Sequence, residues 1–481
     1  MEREKKLAKN MIIFAIGSIS SKLLQFLLLP FYTRVLTDAQ YGTIDILQNI
    51  ATLLIPIISM TISEAVFRYA MEEKSNKQEV LSIGLLLDCI SITIMTGIAI
   101  IIYRVTKYEY IMVLVLYIAT NIIRTIMSQF TRAIGRVKLY TVDNVLNVFI
   151  TIICNIVLLT VLNLGVKGYL LGYSIGNIAS IIILMITVKI HQYINFKQIT
   201  KLTTTRMIKF SMPLIPSAIG WWITTFTDRI MITYYFGAAV NGLYALAHKI
   251  PTIITIIVEI FSKAWQMSAN KEFESNDISK FYSNIFSYLF SFVFILCAFL
   301  MSFSKIIIRI IASQEFFNSW QYVPTLLLGI AFFSIADYLG TIYIASKKTK
   351  MAFVTNMVVA ILNLFLNIIL LKYIGAIGAA IATTICYMIL WLYRVFNTRK
   401  IVEIQYNLKI VIPTIILLII NTIIITIQVK LWYCYTTIIL IIMIGINLKN
   451  FIIFTKSIVT LLKDRLLRRN NNILNEEENK E

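Results

Sequence analysis

The chain has 481 residues, of which 58% are hydrophobic and only 14% charged, and its mean hydropathy is +0.80. A soluble chain of this size needs a charged fraction near a quarter to cover its domain surfaces. Cytosolic enzymes, nucleic-acid-binding modules and secreted disulfide scaffolds are therefore excluded, and an integral membrane protein is indicated. The net charge of +20 comes from 44 Lys and Arg against 24 Asp and Glu. Because the basic residues lie mostly between apolar segments, they report topology rather than a polyanionic partner.

Hydropathy windows of about 19 residues predict roughly fourteen spans, near 11–33, 42–67, 80–103, 110–131, 142–163, 168–188, 208–236, 240–262, 282–304, 322–345, 351–371, 376–395, 410–429 and 432–448. Runs of about 17 to 29 apolar residues without polar/apolar alternation are helices, not barrel strands. The first run is about 23 residues long, too long for a signal-peptide core, and ends in Pro30-Phe31-Tyr32, so it should stay as the first helix. With Met1 inside and an even count, roughly 32 Lys and Arg fall inside and about 8 outside, which predicts N-in and C-in. The inside groups are Lys5, Lys6 and Lys9, then Arg132, Arg136 and Lys138, then Lys347, Lys348 and Lys350, and finally Lys463, Arg465, Arg468 and Arg469. Anchoring against anionic lipid is their expected role.

Catalytic and metal chemistry find little to build on. The five cysteines, Cys89, Cys154, Cys297, Cys386 and Cys434, lie inside predicted spans and none forms a CxxC pair. His191 and His248 stand far apart, and no P-loop motif is present. The connections are short, the longest outside one being about 17 residues near Lys305 to Gln321, too little for the catalytic loop of a membrane glycosyltransferase or polymerase. No cofactor and no catalytic site are expected, which leaves a secondary transporter or channel.

An internal repeat orders the helices. Shifted by 200 positions, Tyr41-Gly42 falls on Asn241-Gly242, each expected at a short outside turn. Shifted by 212, Arg136-x-Lys138 falls on Lys348-x-Lys350, Asn144 on Asn356 and Asn155 on Asn367. After a two-residue contraction, Gly165-Val166-Lys167-Gly168 meets Gly375-Ala376-Ile377-Gly378. The expected division is two parallel six-helix lobes at 1–200 and 201–405, an additional helix pair at 406–455, and a basic then acidic tail at 456–481. Such lobes enclose a central cavity and permit alternating access by rocking.

Several motifs then carry a resemblance. Pro30-x-x-Thr33-Arg34-x-Leu36 is followed by Tyr41-Gly42; Pro213-x-x-Pro216 leads to Asp228-Arg229-x-x-Ile232; Gly242-x-Tyr244-x-x-Ala247-x-Lys249 follows, and a basic turn stands at Gly135-Arg136-x-Lys138. In this order along nearly the whole chain they resemble the Wzx-type oligosaccharide flippases, the polysaccharide transport branch of the multidrug/oligosaccharidyl-lipid/polysaccharide exporter superfamily. The resemblance implies a flippase that moves undecaprenyl-diphosphate-linked oligosaccharide from the inner to the outer leaflet of a bacterial cytoplasmic membrane. It also implies a functional link to a polysaccharide polymerase and glycosyltransferases.

A diphosphate and several sugars crossing hydrocarbon need a wet, locally cationic path. Lys22, Arg124, Arg229 and Lys249 lie within spans and are the expected substrate contacts, with structural ion pairing or snorkelling as the alternative. The acidic residues that stand out within spans are Glu64, Asp88, Asp228, Glu259 and Asp337. Glu64 and Arg68 are four apart and should pair on one helix face, and Asp143 suits a helix start. Asp88, Asp228 and Asp337 are the candidates for coupling proton or sodium entry to rocking. Membrane potential alone also serves, since an anion moving outward gains roughly 2.3 kcal/mol per charge per 100 mV. Trp221 and Trp222 are candidates for stacking on sugar rings, with belt or packing roles as the alternative. Pro56, Pro213, Pro216 and Pro324 should bend helices. Two other transport readings share the architecture: a multidrug cation antiporter, which wants an acidic cavity, and a peptidoglycan lipid-precursor flippase, whose headgroup chemistry is nearly the same.

Overall fold

The structure is a computed structural model and describes residues 26–72, 75–272, 278–346 and 348–453. Within them the helices are α1 (Leu29–Val35), α2 (Asp38–Ile58), α3 (Ile62–Ala70), α4 (Lys77–Thr106), α5 (Ile111–Ala133), α6 (Val137–Ile156), α7 (Gly165–Thr187), α8 (Lys201–Ser211) and α9 (Leu214–Ala247). They continue as α10 (Lys249–Glu272), α11 (Ile278–Ser302), α12 (Ser304–Ile311), α13 (Val323–Ala345), α14 (Thr349–Ile374), α15 (Ile377–Thr398), α16 (Leu408–Ile427) and α17 (Trp432–Ile453). Among the described residues, twelve helical stretches are long and apolar enough to cross a membrane. The expected first span lies mostly outside the described residues, as does the tail from 456.

Local chemistry sets the breaks. Thr37 opens α2 with a capping box: its hydroxyl accepts the Gln40 amide, and the Gln40 side chain accepts the Thr37 amide, both at 3.2 Å. The expected span 42–67 is two helices. Pro56 withdraws a backbone donor near the end of α2, and Met60 and Thr61 then turn with φ of 49° and 48° before α3 begins. Thr61 secures this corner by donating to the Ser211 carbonyl at 2.7 Å. Pro213 falls in the break between α8 and α9. The turn expected at Asn241-Gly242 lies instead at Gly237, whose φ of 86° interrupts α9. Expected spans seven and eight therefore meet in one 35-residue apolar stretch, Thr225–Glu259, with Gly237 and a turn at His248 inside it.

The described residues group into two compact units, one within Met1–Leu246 and Arg309–Asn318, the other within Ala247–Ile308 and Ser319–Glu481. In the first, α3, α4, α5 and α7 meet around Ile62, Val66, Leu81, Ile126, Phe130 and Leu184, all fully buried. A Cβ on Gly84 would lie 2.5 Å from Ile126 and 2.6 Å from Val66, so the bare backbone of α4 is what lets these helices close up. The expected pairing of Glu64 with Arg68 is not formed. Among the described residues no ion pair joins them, and the Arg68 guanidinium lies 4.8 Å from the centre of the Phe210 ring, a face that α8 supplies.

In the second unit α13 packs against α10, α11, α15 and α16. Phe286, Phe290 and Phe294 of α11 run along it in a stack, the last two with ring centres 4.2 Å apart. Asn447 of α17 ties the final helix pair to α11, accepting from Ser291 at 2.8 Å and donating to Thr414 at 2.9 Å. Lys305 adds a second tie, with its ammonium 4.0 Å from the Trp320 ring centre and 4.6 Å from that of Trp432.

The repeat has a physical counterpart in each unit. Gly165 and Gly375 both take positive φ, 50° and 75°, where a helix is about to begin. Three residues on, a Cβ on Gly168 would meet the Leu158 carbonyl oxygen at 3.2 Å, and one on Gly378 would meet that of Leu370 at 2.4 Å. Beside the first of these turns, half-exposed Lys167 pairs with Glu109 at 2.6 Å, and this hydrogen bond holds the Glu109 carboxyl below its usual range. Any stability it adds is present above the ordinary carboxylate pKa and lost as pH falls through the lowered one. Solvent screens this half-exposed pair, so Lys167→Ala is expected to return Glu109 to the ordinary range in an NMR titration while leaving the unfolding midpoint unchanged.

Candidate functional site

The densest buried charge in the first unit lies where α2 meets α9. Gly42 and Gly242 bring the two backbones into contact: a Cβ on Gly42 would sit 1.8 Å from the Ala238 carbonyl oxygen, and one on Gly242 would sit 2.1 Å from that of Asp38. Sequence reading aligned these two glycines as repeat equivalents at turns; they are helical and touch each other's helix. Close approach is their function, and Gly237 makes the turn.

Around this contact a polar network is buried. Arg229 Nη1 donates to Asp45 Oδ1 at 2.6 Å, and the other Asp45 oxygen accepts from Asn49 at 3.0 Å and Asn241 at 3.3 Å. Asn241 also donates to the Gly42 carbonyl at 3.1 Å. Asp228 turns the other way and accepts from the Tyr244 hydroxyl at 2.8 Å and from the Arg229 amide at 2.9 Å. Trp222 donates its indole N–H to the Asn49 carbonyl at 2.7 Å, with its ring buried. A charge pair this deep needs hydrogen bonds to its remaining atoms; both Asp45 oxygens have them, while Arg229 Nε and Asn241 Oδ1 are buried without a hydrogen-bond partner among the described residues, and the bonds that form hold α2 on α9.

A second node joins α5, α6 and α7. Arg124 donates to Ser180 at 2.9 Å, to Asp143 at 3.2 Å and to Asn144 at 2.8 Å, while Ser180 donates to Asp143 at 2.5 Å. Asp143 is thus the counter-ion of Arg124, which corrects its reading as a helix-start residue: fully buried, it has a guanidinium within reach on the next helix. The second unit builds the corresponding node with the cation on a different helix. Arg394 of α15 donates to the Ala336 carbonyl at 2.8 Å, to Thr355 at 3.0 Å and to Asn356 at 2.9 Å. Asn144 and Asn356, matched by the 212-residue shift, each accept from a guanidinium.

The remaining candidates are scattered. Asp337 accepts from Ser262 at 3.3 Å in the second unit, and Lys249 is half-buried at the start of α10. Asp88 is buried on α4 with no hydrogen-bond partner for either oxygen among the described residues. Lys22 and the side chain of Trp221 lie outside the described residues. Among these residues no group of three or more His, Cys, Asp or Glu could hold a metal ion. Sequence reading missed Asp45 and Arg394. Both lie inside predicted spans, and a complete list of charges within spans would have found them.

Long apolar helices carrying paired charges in their interior define a multi-pass membrane protein with a transporter fold. The chain belongs to the polysaccharide biosynthesis protein family, whose model matches residues 7–266. Among solved structures, it is similar to lipid II flippase MurJ in an inward closed conformation, with a TM-score of 0.65 and 16% identity over 94% of this chain and 99% of that one. It is also similar to a multidrug resistance MATE family transporter of the MOP superfamily in an inward-facing conformation, with a TM-score of 0.63 and 13% identity over 80% and 97% of the two chains. At these identities the likeness is one of fold. A curated relative, the uncharacterized membrane protein MJ1068 of Methanocaldococcus jannaschii, is 21% identical over 259 residues, 48% of this chain and 49% of that protein. The chain thus spans about half the length of that relative.

Proposed function

We propose that this protein moves undecaprenyl-diphosphate-linked oligosaccharide units from the inner to the outer leaflet of a bacterial cytoplasmic membrane, for assembly of a surface polysaccharide by a polymerase and glycosyltransferases. The observation that carries the reading is the family match over residues 7–266, and a fold shared over 94% of the chain with a protein that flips a lipid-linked sugar supports it. In this reading α2 and α9 part during rocking, and Arg229, released from Asp45, meets the diphosphate. Arg124 stays with Asp143 and holds its three helices together. Lys249 and, by sequence alone, Lys22 are the further candidate substrate-binding cations, and Trp222 meets sugar only when α2 moves away from it.

The test is movement of a fluorescently labelled undecaprenyl-diphosphate oligosaccharide in proteoliposomes of the purified protein, with lipid II and an organic cation run beside it. Movement of the oligosaccharide lipid and not of the cation is expected. Transport of lipid II alone would make the protein a peptidoglycan-precursor flippase, and cation efflux alone a drug antiporter.

A further inference from the structure

Among the described residues, the buried Asp carboxyl groups have donors, with one exception. Asp45 and Asp143 each hold an arginine, Asp228 accepts from Tyr244, and Asp337 accepts from Ser262. Asp88 is 1% exposed, and among the described residues neither of its oxygens accepts a hydrogen bond. Its own burial places Asp88 in the helix packing, while its neighbour Cys89, about 100° further round α4, is exposed.

One turn before Asp88, Gly84 meets Val66 of α3 and Ile126 of α5, and one turn after it Ile92 packs with Ala51 of α2 and with Ile118 and Ile122 of α5, so the helices on either side of it contribute apolar groups. The turns at 190–193 and 196–198 meet the start of α4, where Gln78 donates to the Gln192 carbonyl and Ser82 accepts from the Asn195 amide; His191 and Lys197 there are exposed and Tyr193 packs on Phe130. The charged and titratable side chains of the helices turn elsewhere. On α2, Asp45 goes to Arg229, Asp38 caps the Ala39 amide, and Tyr41 packs on Phe316. On α3, Glu64 is exposed, Arg68 lies over Phe210, and Tyr69 donates to the Arg206 carbonyl. On α5, Arg124 goes to Asp143, Arg132 lies over Phe67, and Tyr117 meets Tyr173 edge to face. On α4 itself, Glu79 accepts from Thr200, and Tyr103 and Arg104 are exposed. An ionised carboxylate without a cation or donor is not tolerated in such a place; the group takes up a proton instead.

We propose that Asp88 is the proton-carrying group of this transporter, neutral in the conformation described and ionised when rocking lets water enter between α4 and its neighbours. The inference rests on the transport reading above and adds its energy source. In each cycle the Asp88 carboxylate takes one proton from water on the outer side, carries it as a carboxylic O–H while the helices are closed, and yields it to water on the inner side. One proton enters as one lipid-linked sugar leaves, and nothing is oxidised or reduced.

Two measurements test this. Infrared spectra of the reconstituted full chain at neutral pH should contain the carbonyl stretch of a protonated buried carboxylic acid, and D88N should lack that band. In proteoliposomes, a one-unit pH gradient should shift the steady-state distribution of the labelled undecaprenyl-diphosphate oligosaccharide by about tenfold, the ratio one coupled proton supplies. D88N should show no shift with pH while still responding to membrane potential. Should D88N fail to fold, D88E keeps a titratable group at the site and should keep both band and shift. Absence of the band from the wild type, its survival in D88N, or an undiminished shift in D88N overturns the proposal. The two readings fail separately: without sugar movement in the wild type the proposed function falls, while the infrared band alone still decides whether Asp88 holds a proton.

Discussion

Asp45→Ala is expected to destabilise the protein by about 3–5 kcal/mol, because it leaves the Arg229 guanidinium buried without its counter-ion. Arg229→Ala should cost a similar amount by stranding Asp45, although Asn49 and Asn241 still donate to that carboxylate and soften the loss. Replacing both with apolar residues of similar volume, Asp45→Leu with Arg229→Met, removes both charges and should return most of the stability. A double-mutant cycle of Asp45→Leu, Arg229→Met and the two together, read by unfolding in detergent micelles, then gives the coupling of the pair. The same variants separate the two roles of Arg229. A purely structural arginine would let transport return with stability. An arginine that meets diphosphate once α2 moves away contributes charge-assisted hydrogen bonds of about 1.5–3 kcal/mol, so the double variant should be stable yet transport about tenfold slower or worse.

Gly42→Ala is the second large effect. Its Cβ would lie 1.8 Å from the Ala238 carbonyl oxygen and 2.7 Å from the Gly242 amide nitrogen, so α2 and α9 must separate to admit it. Overpacking of this kind costs about 1–3 kcal/mol, and because the opposing atoms are backbone rather than a flexible side chain, the upper part of that range is expected. Such a penalty falls only on the state in which the two helices touch, so it should shift the population toward separated helices by about 5- to 150-fold. Hydrogen exchange of the segment 238–247 reads this directly and should speed up in Gly42→Ala. Gly242→Ala should act alike through the Asp38 carbonyl, and the two together should fall short of the sum, since either one already opens the shared contact.

Much of the fold was legible because lipid imposes a simple rule: a segment that crosses hydrocarbon must bond its own backbone and be apolar for about 20 residues. That rule predicted the helical membrane architecture that the twelve apolar helical stretches among the described residues display. It could not place the break at Met60 and Thr61, because a left-handed corner between apolar residues leaves hydropathy unchanged. Nor could it tell a glycine that turns a chain, such as Gly237, from one that admits a neighbouring helix, such as Gly42.

The site was legible only as an inventory. Arg124, Arg229, Asp228 and Asp88 could be found as charges within spans, but a one-dimensional reading cannot pair them. Arg229 finds its partner 184 residues away in Asp45, and Arg124 finds its own on the next helix. Composition and span length by themselves determined that the chain is an all-helical membrane protein, because the hydrophobic thickness of a bilayer acts on each segment independently. Only the tertiary structure decided which buried charges cancel and that Asp88 stands without a donor among the described residues, because pairing depends on which helix faces brought together by packing are within about 3 Å of one another.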